Sequence, residues 1–166
     1  VLKEDLGHYI DKYNIWSSYG VESEGVFIAY ASVYGNTRKA ADMLASKLAD
    51  KGVHVTVSDL SRDDWAECLE DAFRYGKLVL AAPTYNADVF PAMKEFINHL
   101  TERNYQNRTI GIIENGSWAP MAAKVMKGMF EKSKNITFAE NTVTVRSAVN
   151  AANEAQIEAL AEELKG

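Results

Sequence analysis

Val26-Phe27-Ile28-Ala29-Tyr30-Ala31-Ser32-Val33-Tyr34-Gly35-Asn36-Thr37 is the stretch whose reading decides the fold. Its first half is an unbroken apolar run, of the length and composition expected for a strand covered on both faces. Its second half carries hydroxyls, an amide and a glycine. It leads without a spacer into Asn36 to Lys51, where Ala40, Met43, Leu44 and Leu48 recur at helical spacing. A strand that turns directly into a helix leaves the helix's first N–H groups without intrahelical partners, aimed at whatever lies beyond the strand end. Gly35 lets the backbone turn closely there. The concavity is suited to a phosphate and owes nothing to a cationic side chain.

The same alternation continues downstream. Strands are expected at 53–57, 77–82 and 109–114, with a fifth within 136–145, interrupted near Asn141. Pro83 is expected to end the third strand, because it has no N–H for a ladder. Helices are expected at 61–75, 91–100 and 121–133, with a last one capped by Asn150 or Asn153 and carrying Ile157, Leu160, Ala161 and Leu164 on one face. Apolar strands alternating with amphipathic helices predict an α/β three-layer sandwich, a five-stranded parallel sheet with helices on both faces. Ligands of such sheets bind beyond the carboxyl ends of the strands, where the strand order reverses.

Composition narrows the functional classes. The 166 residues suit one domain, and 47% apolar with 25% charged residues is ordinary for a globular protein. The net charge of −5 argues against a nucleic acid partner, which needs a basic face. Cys68 is the only cysteine, and His8, His54 and His99 form no ligand cluster, so no metal site is expected within the chain. The apolar runs are too short to cross a bilayer and no secretory signal is visible, so a cytoplasmic location is expected. Residues 1–24 read differently from the rest. Leu2, Leu6, Tyr9, Ile10 and Tyr13 share a face of a short helix, followed by a polar segment. The expected division is 1–24, a helix and linker from a preceding domain, and 25–166, the α/β domain.

Two further loops leave the same end of the sheet. Pro83-Thr84-Tyr85-Asn86-Ala87 follows the third strand, stiffened by Pro83 and Pro91, and offers backbone bonds and an aromatic face to a heterocycle. Asn115-Gly116-Ser117-Trp118 follows the fourth, with Trp118 placed to stack on an aromatic ligand. Three loops at one edge thus supply phosphate, edge and face contacts together.

On these residues the chain resembles the flavodoxin family, from Gly25 to the C-terminus, with Ser32 to Thr37 matching its phosphate-loop signature. More narrowly it resembles the C-terminal flavodoxin domain of flavodiiron oxygen or nitric oxide reductases, through the Pro83 to Asn86 loop closed by Pro91, the Gly116-Ser117-Trp118 segment and the leader Ile10-Asp11-Lys12-Tyr13-Asn14-Ile15-Trp16. The resemblance implies flavin mononucleotide (FMN) as cofactor. Its phosphate would be held by Ser32, Val33, Tyr34, Gly35, Asn36 and Thr37. Its ring would be held by Pro83, Thr84, Tyr85, Asn86 and Ala87 on one side, and by Asn115, Gly116, Ser117 and Trp118 on the other. It further implies electron relay from a redox protein, rubredoxin-like or a reductase, to a di-iron domain, in a parent that is a homodimer or larger. No residue of the chain itself is expected to be catalytic. The third loop departs from the family, with Ala119 and Pro120 where glycines are usual. A stand-alone NAD(P)H or quinone reductase of the same fold is the alternative reading.

Overall fold

The computed structural model describes residues 20–32, 35–116, 119–146 and 148–166, so the helix expected over residues 2–13 lies outside the described part. The elements run β1 (Ser23–Tyr30), α1 (Asn36–Asp50), β2 (Val55–Asp59), α2 (Trp65–Arg74), β3 (Tyr75–Tyr85), β4 (Asp88–Val89), α3 (Pro91–Glu102), β5 (Arg108–Asn115), α4 (Ala122–Met129), β6 (Ile136–Phe138), β7 (Val143–Val145) and α5 (Ala151–Leu164). The principal strand order is β2-β1-β3-β5-β6, all parallel, so the order reverses between β1 and β3.

The unbroken apolar run of β1 is explained by its two neighbours. Phe27, Ala29 and Ala31 enter one core with α2, α3 and α4, whereas Val26, Ile28 and Tyr30 enter the other with α1 and α5. Leu78, Leu80 and Ala82 of β3 divide from Val79 and Ala81 in the same way. With side chains alternating across the pleat, only an apolar residue fits at every position of a central strand. Each large side chain fully buried in these layers, Phe27, Ile28, Phe96 and Leu100 among them, contributes about 1.5–3 kcal/mol.

Among the described residues the sheet has seven strands, which corrects the expected five. One addition is β4, a two-residue antiparallel partner of β3. The other comes from the break in the fifth strand. There β6 pairs with the start of β5 and β7 with its end, and the segment between them leaves the ladder. The break is held by Glu163 of α5. Its carboxylate accepts from Glu140 N at 2.5 Å, from Asn141 N at 3.1 Å and from Asn141 Nδ2 at 2.8 Å. The third strand also runs past Pro83 to Tyr85. Ala81 bonds toward β1, and its carbonyl takes the last such bond, from Ala31 N at 2.9 Å. Pro83 faces the same side two residues on, where β1 has turned away, so its missing N–H leaves no ladder bond unmade.

At the opposite end of the sheet a buried arginine joins several segments. Arg108, 3% exposed, donates to the carbonyls of Gln106, Asn107, Gly20 and Phe73 at 2.8–3.2 Å. Its guanidinium also lies over the Tyr105 ring, 5.6 Å from the centroid. Such charged donors hold loop carbonyls more firmly than neutral ones do.

Burial pushes the Glu163 carboxyl upward in pKa, but the bonds from Glu140 N and Asn141 together outweigh it and hold the group below its usual value. A carboxyl depressed in the folded state stabilises the fold above its unfolded pKa of about 4.3, and that contribution disappears as pH falls through the folded value. Glu163→Ala is therefore expected to cost about 1 kcal/mol at neutral pH, the bonds being partly solvated. Urea titrations at several pH values should show the gap from wild type closing below about pH 4.

Candidate functional site

The strand register brings three loops to one edge. Tyr30 stands opposite Ala81, and Pro83 opposite Asn115, which in turn stands opposite Val145. The chain therefore leaves β1 and β5 within two residues of one level, with β3 running on to Tyr85, around the switch point between β1 and β3.

The first loop runs from Ser32 into α1. Ser32 is half-buried, and its Oγ accepts from Gly35 N at 3.0 Å, closing the turn. Gly35 is the N-cap at φ 85°, in the left-handed region, and a Cβ built on it would meet nothing within 4 Å. The conformation calls for glycine here, and the space above it is open. No side chain caps α1, and its first turn carries no acid. Thr37 is 2% exposed. Asn36 is half-buried beside it. Val33 and Tyr34, expected in the same loop, lie outside the described residues.

The second loop is a tight hairpin. Thr84 pairs with Val89 and Tyr85 with Asp88, leaving Asn86 and Ala87 as the two turn residues, at φ 49° and 60°. Two consecutive positive φ values mark the primed turn favoured between antiparallel strands. Phe90 N donates to Pro83 O at 3.1 Å and closes the loop at its base. Asp88 is held by Lys94 Nζ at 2.6 Å and Val89 N at 2.7 Å, and these two bonds draw its carboxyl below the usual range. Tyr85 stands 51% exposed at the rim, edge-on to Phe90 with ring centroids 6.0 Å apart. An aromatic face held out beside a strand end is free to lie against a planar ligand.

The third loop is locked to the second. Thr84 Oγ1 accepts from Met121 N at 3.0 Å and from Ala122 N at 3.1 Å, so a β3 hydroxyl caps α4. A Cβ on Gly116 would stand 3.2 Å from Thr84 Oγ1 and 3.3 Å from Pro120 Cα, which explains the glycine by close approach. Gly116 N also donates to Val145 O at 3.0 Å. Ser117 and Trp118 lie outside the described residues.

One residue of this region escaped the sequence reading. Glu114, 7% exposed, ends the apolar run of β5, and its carboxylate accepts from Ala123 N at 2.7 Å and Thr144 Oγ1 at 3.0 Å. An acid inside a buried strand was the available signal, since such a charge needs partners. On the β2 side, burial first and then the nearby Asp59 raise the Tyr30 phenol above its ordinary range.

Among the described residues no group of three metal-ligating side chains occurs and no helix is long and apolar enough to cross a membrane. A parallel sheet of this order, with a glycine turn leading into a helix at its switch point and two loops beside it, defines a flavodoxin-like domain. Residues 27–150 match the Flavodoxin domain family, and the chain belongs to it. Over 101 residues it is 32% identical to an oxidase of reduced coenzyme F420 from Methanothermobacter marburgensis, covering 61% of this chain and 24% of that protein. Rubredoxin oxygen:oxidoreductase from Desulfovibrio gigas superposes with a TM-score of 0.88 at 18% identity, over 98% of this chain and 40% of that one. The flavo di-iron protein of Thermotoga maritima gives 0.79 at 20% identity, over 98% and 40%. The chain thus spans about a quarter of its curated relative and 40% of the two solved chains, and the expected likeness to flavodiiron proteins is met.

Ala87 holds a left-handed conformation at a cost of about 1–2 kcal/mol, whereas glycine there would lose about 0.5–1 kcal/mol in chain entropy. Ala87→Gly is accordingly expected to stabilise the domain by about 0.5–1 kcal/mol in a denaturant titration. A loss of stability would contradict the turn geometry.

Proposed function

We propose that this domain binds one FMN at the β1, β3 and β5 strand ends and serves as an electron relay. The observation that carries this reading is the start of α1, where a helix N-terminus with no side-chain cap and the buried Thr37 follow directly on an open left-handed glycine. Backbone N–H groups and hydroxyls are the donor set that a phosphate dianion needs, and the helix dipole adds to it. Ser32, Gly35, Asn36 and Thr37 would hold that phosphate, with Val33 and Tyr34 completing the turn. Pro83, Thr84, Tyr85, Asn86 and Ala87 would border the ring on one side, and Asn115, Gly116, Ser117 and Trp118 on the other.

When bound, FMN supplies the one- and two-electron chemistry. The protein's part is to hold the ring at an exposed rim, where electrons enter and leave, while the phosphate stays anchored. The relatives support a small redox protein or a reductase as donor and a di-iron domain as acceptor, since one is named for rubredoxin and oxygen and another for its di-iron centre. In this reading residues 1–24 join the domain to a preceding one, and the parent is a homodimer or larger assembly in the cytoplasm.

Titration of the purified chain with FMN should quench flavin fluorescence at one equivalent, and NADPH alone should leave the bound flavin oxidised. Thr37→Val should weaken FMN roughly tenfold, as expected for the loss of one bond to a charged group, while riboflavin binding stays within about twofold. Equal losses for both ligands would contradict the phosphate assignment.

A further inference from the structure

Three consecutive N–H groups open α4, those of Met121, Ala122 and Ala123, and all are taken by side chains from the sheet. Thr84 on β3 accepts the first two and Glu114 on β5 the third. Glu114 spends its other oxygen on Thr144 of β7, its register partner. The polar chain continues beyond that point. Asn153 Nδ2 donates to Thr144 O at 2.7 Å, and Asn153 shares a reciprocal cap with Asn150 at the start of α5. Asn153 is 4% exposed, so the chain crosses the sheet edge largely out of water.

A carboxylate in a buried strand is expensive unless each oxygen is occupied, and here each has a donor from a different element. An ordinary cap would come from the residue preceding the helix. The helix instead receives its cap from two strands, which fixes the start of α4, from Met121 to Ala123, to β3 and β5 at once.

We propose that Glu114 is a positioning residue for ring recognition: acting with Thr84, it holds the start of α4, where the third loop ends at Met121, at the spacing from the second loop that a planar ring requires, without touching the ligand. This inference rests on the FMN reading above. If the clasp opens, only the fraction of molecules with the loop in place can bind the ring, and the apparent affinity falls by that fraction. The loss belongs to the ring side of the site, so it must be common to FMN and riboflavin, unlike the selective loss expected for Thr37→Val.

The test is to titrate wild type, Glu114→Ala, Glu114→Gln and Thr144→Val with FMN and with riboflavin, each variant checked for folding by circular dichroism. Glu114→Ala should raise both dissociation constants by one common factor, roughly tenfold, because a buried N–H and a hydroxyl lose their acceptor together. Glu114→Gln keeps an acceptor for Ala123 N and a donor for the Thr144 hydroxyl, so it should restore both constants to within about threefold of wild type. Thr144→Val should shift both by a smaller common factor, and it decides the matter if Glu114→Ala does not fold. Unchanged riboflavin binding in a folded Glu114→Ala or Thr144→Val, a loss confined to FMN, or failure of Glu114→Gln to restore binding would each overturn the inference. A wild type that binds neither ligand sinks the functional reading itself, whereas tight wild-type binding with indifferent variants sinks this inference alone.

Discussion

The parallel ladder of β1, β3 and β5 is the constraint on which the site depends. Its register sets Tyr30 against Ala81 and Pro83 against Asn115, so three chain segments leave the sheet at the same edge. A slip of one residue in any of these strands would turn its apolar set into the wrong layer, because successive side chains face opposite cores. Core packing therefore fixes the loop geometry. The hydroxyls and amides at the rim are placed by buried core residues such as Phe27, Leu78, Val79 and Ile112.

The loops differ in how they are held. The first closes on itself through Ser32 and Gly35 and leaves its helix end open. The second and third are tied to each other through Thr84, with Glu114 beneath. An open helix end thus stands next to a closed, cross-linked pair of loops.

Much of this was legible in the sequence, for identifiable reasons. Buried strands announce themselves by unbroken apolar runs, and Val26 to Ala31 and Leu78 to Ala82 are such runs. The two faces of the sheet follow from alternation alone. The strand count did not follow, because the break between β6 and β7 is held by Glu163, a residue some two dozen positions away that no local pattern connects to Asn141. Pro83 misled for a related reason. Whether a missing N–H matters depends on whether a neighbour still runs alongside, and only the register tells that. In the site, Thr84 was rightly drawn to this edge, yet its bonds to Met121 and Ala122 depend on how two loops meet in space. Glu114 was passed over because an acid closing an apolar strand looks like the strand's exposed end.

Arg108 carries a mechanical consequence. Its guanidinium grips the Gly20 carbonyl together with those of Phe73, Gln106 and Asn107, at the pole of the sheet remote from Ser32, Tyr85 and Gly116. Tension arriving along the polypeptide ahead of Gly20 is therefore borne by the foot of β5 and spread into the central strands. A pull at Gly20 thus acts about a point far from the rim loops, and leaves their mutual spacing undisturbed.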